Sequence, residues 1–411
     1  MNIRNRLIHL VHLFMSTKIH TGIIIALAFL GAASAPIAAQ TDTTSRQMAE
    51  RLMRRAVPAL QYDTTMTTAA QFGEWQRRMR DAMSRIAAFP EKEWKSPRLL
   101  STAQRDGYRV ERWESYPLED AAVRFLVLVP DGVDASAPVP AMLCIPGFGQ
   151  TKELLAGEHA GDFTLSKGRV EEPGKSAMAY KYVREGWIAV AVDNVSCGEL
   201  SDNGYFDYLA TSRFLLENGW HYLGLNAWQD KVVLDWMKTA PGVNPERIVV
   251  SGFSLGTEPM MVLGLLDDSI YAFVYNDFLC RTRERALTMN KPDDNGQRAF
   301  PNSIEHLIPT FLNEFDFPDI VAAFAPRPVI CTEGGMDRDF RIVGKAFATA
   351  GAPDAFEFHH YPKYADPASR VALEEMPSGI DRAEFFRFAN VDPPSHYFKA
   401  EHIIPWLHRI L

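Results

Sequence analysis

Apolar side chains recur every three or four residues between positions 44 and 89, most regularly at Trp75, Met79, Met83, Ile86 and Phe89, with Arg77, Arg78, Arg80 and Asp81 between them. That period puts the apolar set on one face, so the segment reads as an amphipathic helix whose stripe packs on a neighbouring surface. From residue 107 the pattern changes to short β-branched and aromatic runs separated by helical stretches. Strands are expected at 108–115, 122–129, 139–145, 187–192, 247–252, 271–276, 328–333 and 355–361. Helices are expected near 176–185, 226–239, 255–266, 339–350 and 397–410. Runs such as Trp187-Ile188-Ala189-Val190-Ala191-Val192 are apolar throughout, as strands covered on both faces require. A tight turn at Leu118-Glu119-Asp120 joins the first two strands, and the later ones are far enough apart to need crossover helices. The pattern predicts an α/β fold, a mostly parallel eight-stranded sheet flanked by helices over 107–411, with an N-terminal helical extension at 40–106.

Residues 1–39 read differently. Arg4, Arg6 and Lys18 precede the apolar run Gly22-Ile23-Ile24-Ile25-Ala26-Leu27-Ala28-Phe29-Leu30, and small residues follow up to Ala39. A basic start, a short apolar core and a small-residue exit describe a secretory signal peptide cleaved after Ala39. The apolar core is shorter than the ~20 residues of a spanning helix, so stable membrane insertion is not expected. A periplasmic or secreted protein follows. Cleavage removes three positive and no negative charges, taking the formal charge from −8 to −11. Such an acidic surface excludes nucleic acid as a partner, because that affinity comes from clustered Lys and Arg. The four cysteines, Cys144, Cys197, Cys280 and Cys331, are too few for a disulfide framework, and no spacing typical of a zinc site occurs.

The sharpest chemical signal is Arg247-Ile248-Val249-Val250-Ser251-Gly252-Phe253-Ser254-Leu255-Gly256, an apolar strand running into G-x-S-x-G and an apolar helix. Glycines on both sides permit the tight strand-to-helix turn that lifts a serine hydroxyl clear of the backbone. Ser254 is therefore the candidate nucleophile. From about residue 107 to the C-terminus the chain resembles the α/β-hydrolase superfamily. Within it, the long helical lead-in and the Pro146-Gly147-Phe148-Gly149-Gln150-Thr151 turn are similar to the secreted bacterial acetyl xylan esterase-like and other carbohydrate-ester hydrolases.

That resemblance implies the chain order Ser, acid, His, at the C-terminal ends of strands. It points to Asp337, after Pro328-Val329-Ile330-Cys331-Thr332-Glu333-Gly334-Gly335, as the acid, with Glu333 and Asp277 as alternatives. Six histidines follow Ser254, and His396, which opens the final amphipathic helix, matches the superfamily's late His. His359 and His360, at the end of the last strand, compete with it, and the 34-residue insert 362–395 separates them from His396. The backbone N–H groups of Leu255 and Phe148 are the candidate oxyanion donors.

The stretch 193–225 carries Tyr205, Phe206, Tyr208, Trp220, His221 and Tyr222, suited to sugar stacking or to ordinary packing. Arg281 and Arg283 follow a predicted strand and are candidate readers of an anionic group, such as a uronic acid, near the ester. Glu258 shares a helix face with Ser254, where it could cap, pair with an Arg or face the site. The expected activity is that of an exported serine esterase releasing acyl or methyl groups from carbohydrate, through an acyl-enzyme, with no cofactor and no metal. A prolyl-oligopeptidase-like peptidase is the nearest enzymatic alternative. About 67 residues between the mature start and the first strand are too few for its propeller. A catalytically silent binding module of the same fold is the alternative outside the enzymes.

Overall fold

The computed structural model describes residues 44–90, 95–158, 163–164, 170–171, 173–202, 206–292, 294–296 and 303–411. The expected leader at 1–39 and Tyr205 lie outside these residues. Glu50–Leu411 forms one compact unit; of the unit preceding it, only the first turns of helix α1 (Ser45–Arg55) are described. Helix α2 (Ala69–Ala87) opens on a capping box, in which Thr68 accepts from Gln71 N–H and Gln71 accepts from Thr68 N–H. Its buried face holds Phe72, Trp75, Met79, Ala82 and Met83, three of them from the stripe expected from the sequence, whose Ile86 and Phe89 are partly buried, and Trp75 Nε1 donates to Leu60 O at 2.8 Å.

The sheet has nine strands rather than eight: β1 (Arg98–Arg105), β2 (Tyr108–Leu118), β3 (Ala121–Pro130), β4 (Val139–Ile145), β5 (Ile188–Ala191), β6 (Val243–Phe253), β7 (Ala272–Asn276), β8 (Val329–Cys331) and β9 (Phe356–Phe358). The additional strand, β1, begins inside the segment expected to be wholly helical. Its sequence, RLLSTAQR, is almost entirely exposed and pairs antiparallel with β2 at the sheet edge, so it carries no apolar alternation to announce it. In space the order is β1-β2-β3-β5-β4-β6-β7-β8-β9. The pairings from β5 to β9 are parallel and those among β1, β2, β3 and β5 antiparallel.

Successive strand residues face opposite cores. Leu143, Ile145, Val190, Val250 and Phe273 point to one face. There they meet α2, α6 (Tyr222–Met237), α7 (Thr257–Leu266), α9 (Phe317–Ala322) and α10 (Asp337–Thr349). Met142, Cys144, Ala189, Val249 and Val274 point to the other. There they meet α3 (Lys152–Ala156), α4 (Met178–Arg184) and α12 (Ala400–Ile410). Two further helices, α5 (Tyr208–Glu217) and α8 (Thr282–Thr288), lie in the connections beyond the strand C-termini. The insert 362–395 contributes α11 (Arg382–Phe388) and a satellite core in which Tyr364, Met376, Ile380 and Phe385 pack with Cys280, Met289 and Met336. All four cysteines are free and buried.

Candidate active site

At the C-terminal end of β6, Ser254 adopts φ +51°, a left-handed conformation that costs a serine roughly 1–3 kcal/mol and that neighbours must enforce. Its two flanking glycines explain how. A Cβ on Gly252 would lie 2.5 Å from Gly256 O, and one on Gly256 would lie 2.3 Å from Ile145 O. The reversal is therefore closed by backbone against backbone, where no side chain fits. Thr257 Oγ1 donates to Ser254 O at 2.8 Å as α7 begins.

His396 follows a short turn at Pro393–Ser395 and stacks on the ring of Phe253, with 4.7 Å between centroids. Its Nδ1 is hydrogen-bonded to Glu333 Oε2. Glu333 is fully buried two residues beyond β8. Tyr361 Oη donates to its Oε2 at 3.1 Å and the Tyr397 N–H to its Oε1 at 3.1 Å. An imidazole held at Nδ1 by a saturated carboxylate leaves Nε2 for proton transfer.

The structure does not bring Asp337 to His396. Gly334 and Gly335 both have positive φ, and a Cβ on Gly335 would lie 2.4 Å from Leu279 O. This glycine pair is pinned to the loop after β7 by the Leu279 N–H donating to Gly334 O at 2.9 Å, and it turns the chain away before α10 starts. Asp337 meets a different histidine, His360, whose Nε2 lies 2.9 Å from Oδ1, and Arg370 Nη1 at 3.1 Å. Burial, with Arg370 adding to it, lowers the His360 pKa. His359 is taken up by Glu357 at 2.8 Å and by stacking on His402. Of the two alternative acids, Glu333 reaches the imidazole directly.

The other alternative, Asp277, lies close by after β7. One ligating atom from each of Asp277, Glu333 and His396 lies within 4.8 Å of the others, with Glu333 and His396 joined by their hydrogen bond. Burial pushes the Asp277 carboxyl up to about 7, with His396 opposing and the Glu333 charge adding.

Opposite this group runs the turn after β4. A Cβ on Gly147 would come within 2.8 Å of the Phe253 ring, and Gly149 has φ +76°. The turn is buttressed from behind: Asn194 Nδ2 donates to Pro146 O at 2.8 Å and Asn226 Nδ2 to Asn194 Oδ1 at 2.8 Å. Lys152, buried at the start of α3, donates through both N–H and Nζ to Asp193 at 2.7 Å. Phe148 and Leu255, the two residues expected to supply oxyanion donors, belong to one apolar cluster with Tyr208 and Ile308. The Phe148 ring meets Phe206 at 4.7 Å and Tyr208 at 5.3 Å. His221, by contrast, caps α6 and reaches Ile86 O, a packing role.

Arg281 and Arg283 are elsewhere. Arg281 Nε bonds Asp339 Oδ1 at 2.7 Å, and Arg283 Nη2 donates to Arg54 O at 3.1 Å. Both line a cavity of about 440 Å3 with Arg54, Tyr62, Asp316 and Asp319, which includes neither Ser254 nor His396. Glu258 is paired with His306 Nδ1 at 2.9 Å rather than with an arginine.

A β-strand, a serine on a left-handed turn, a parallel sheet and a late histidine at the strand ends are the common frame of one large enzyme family, and its sequence profile matches residues 37–409. The chain belongs to the Abhydrolase family of α/β-hydrolases. Among solved structures similar to this α/β-hydrolase is a provisionally assigned acetyl xylan esterase from Bacteroides fragilis NCTC 9343. It is 49% identical, with a TM-score of 0.84 over 90% of this chain and 95% of that one. A methylesterase is 17% identical with a TM-score of 0.47, covering 79% of this chain and 62% of that one. A glucuronoyl esterase from Solibacter usitatus is 15% identical with a TM-score of 0.49, covering 72% and 86%. No curated protein sequence matches the chain. No described helix of this α/β-hydrolase is long and apolar enough to cross a membrane.

Proposed function

We propose that this protein is an exported serine esterase that removes small acyl groups from carbohydrate, using Ser254, His396 and Glu333. The observation that carries the reading is the hydrogen bond from His396 Nδ1 to buried Glu333, beside the strained Ser254 elbow. His396 Nε2 takes the Ser254 hydroxyl proton as Oγ attacks the ester carbonyl. Glu333 holds the Nδ1–H tautomer and stabilises the imidazolium. The tetrahedral oxyanion is received by the backbone N–H groups of Phe148 and Leu255. Collapse breaks the ester C–O bond, His396 protonates the departing sugar hydroxyl, and water then releases the acid from the acyl-enzyme by the same steps.

Support for a carbohydrate ester comes from the 49% identical relative, itself provisionally assigned as an acetyl xylan esterase. The aromatic wall of Phe148, Phe206 and Tyr208 suits a small acyl group or a sugar ring. Export rests on the basic start, short apolar run and small-residue exit of residues 1–39.

The test compares hydrolysis of p-nitrophenyl acetate and of acetylated xylan by the folded protein and by Ser254→Ala and His396→Ala. Turnover by the first and loss by at least 10³-fold in both variants is expected. A folded but inactive wild-type protein that still binds the polysaccharide would make it a binding module instead. For export, N-terminal sequencing of protein from the periplasmic or culture fraction should begin at Gln40; an intact Met1 would overturn cleavage.

A further inference from the structure

The carboxylate beneath His396 has a second cationic neighbour. Lys399 Nζ lies 3.7 Å from Glu333 Oε1, with only 2% of its side chain exposed. Nζ also donates to Ser395 O and sits 3.3 Å from the Tyr397 ring centroid, while the Lys399 N–H donates to Asn276 Oδ1 at 2.7 Å. The residue is fixed at both ends. Among the described residues it is the only Lys or Arg within 4.0 Å of Glu333. Burial draws the ammonium pKa down, and Glu333 opposes that shift.

The charges around the base explain why a buried lysine belongs there. His396 must be neutral to accept a proton, yet two carboxyl groups, Glu333 and Asp277, lie against it. Each carboxylate stabilises imidazolium, so the charge of Glu333, joined by that of Asp277 as it ionises around neutral pH, would without compensation hold the base protonated. We propose that Lys399 is the counter-charge of this site, a positioning residue that offsets the negative charge beside His396 so that the imidazole can act as a base. The inference rests on the reading of His396 as that base.

The remaining groups facing the cluster do not replace it. The Tyr361 hydroxyl is pushed well up by burial and Tyr397 is also raised by burial, so both are neutral. Glu401, in the first turn of α12, and Asp392, before the His396 loop, act on Lys399 itself, raising its pKa. Glu258, which helps raise the Asp277 pKa, is bonded to His306. His402 has its pKa lowered by burial and by His359, and Lys175 lies 5.8 Å from the Tyr397 ring.

The pH dependence of kcat/KM for p-nitrophenyl acetate separates this role from simple packing. In Lys399→Met the acidic limb should move upward by about one unit. Activity then falls about fivefold at the midpoint of the wild-type limb, approaches a tenfold loss well below it, and recovers to within a few-fold at high pH. Lys399→Arg should keep the limb in place. A uniform loss at all pH values, with the limb unmoved, would overturn the proposal. Should Lys399→Met not fold, Asp277→Asn removes charge of the opposite sign, and the limb should move downward; an unmoved or raised limb overturns the idea equally. Failure of the underlying reading looks different, since His396→Ala would then keep its turnover.

Discussion

The ring of Phe253 lies on the imidazole of His396, with 4.7 Å between centroids and 26° between planes. The same ring faces Gly147, where even a methyl group would come within 2.8 Å of it. One side chain thus sets the gap between the histidine loop and the turn opposite. Shrinking it should loosen both: Phe253→Leu is expected to lower kcat about tenfold to a hundredfold, with a smaller change in KM, because a displacement near 1 Å at a reacting centre has that effect. Steady-state kinetics on p-nitrophenyl acetate check it. A KM effect without a kcat effect would show that the ring contacts substrate instead.

Glu333 and Asp337 are only four residues apart, yet they hold different histidines. Glu333→Gln should therefore reduce kcat by about 10³–10⁴-fold, as loss of the tautomer-holding carboxylate does in a serine triad. Asp337→Asn should change kcat less than about threefold while lowering stability modestly, about 1 kcal/mol, through Arg370 and His360. The reverse ranking would return the role to Asp337.

Much of this architecture was legible from pattern. Continuously apolar runs marked the buried parallel strands, and the glycines around Ser254 marked the elbow, because both reflect local sterics or two-sided burial. β1 was not legible, since an exposed edge strand is chosen by its pairing with β2 and not by its own side chains. Which carboxylate lies against His396 hung on the direction of the Gly334-Gly335 turn, which is set by contact with Leu279 some 55 residues earlier in the chain. Its proximity to the strand end was the available signal for Glu333. Arg281 looked free for a substrate because its partner, Asp339, is 58 residues away.

That pairing makes a third prediction. Arg281→Ala takes the hydrogen-bonded cation from a carboxylate only 1% exposed, leaving Arg338 at 3.8 Å as its remaining partner, and the folded state should lose about 3 kcal/mol, the lower end for a broken buried pair. Neither that variant, once folded, nor Arg283→Ala should alter by more than about twofold the ratio of kcat/KM for a uronate methyl ester to that for a neutral ester. A selective tenfold loss on the charged ester would put a guanidinium back at the substrate.

The Glu258–His306 pair should show in stability against pH. Burial works against the imidazolium, but Glu258 and, more weakly, Glu305 outweigh it, and the folded pKa is raised. With the folded value above the unfolded one of about 6.5, the contribution is complete below that pH and disappears as pH rises through the folded pKa. The gap in urea midpoint between wild type and Glu258→Gln should accordingly be widest near pH 5.5 and narrow by pH 8.5. A gap constant across that range would mean that the pair contributes no proton linkage.

The four thiols carry a consequence for biosynthesis. Cys144 and Cys331 lie inside core strands, and Cys197 and Cys280 are equally sheltered, so nothing in the packed state waits on oxidation. The chain completes its interior by packing alone. It therefore needs no disulfide-forming catalyst to mature, and the same native molecule should arise in a reducing cytosol and persist in an oxidising compartment.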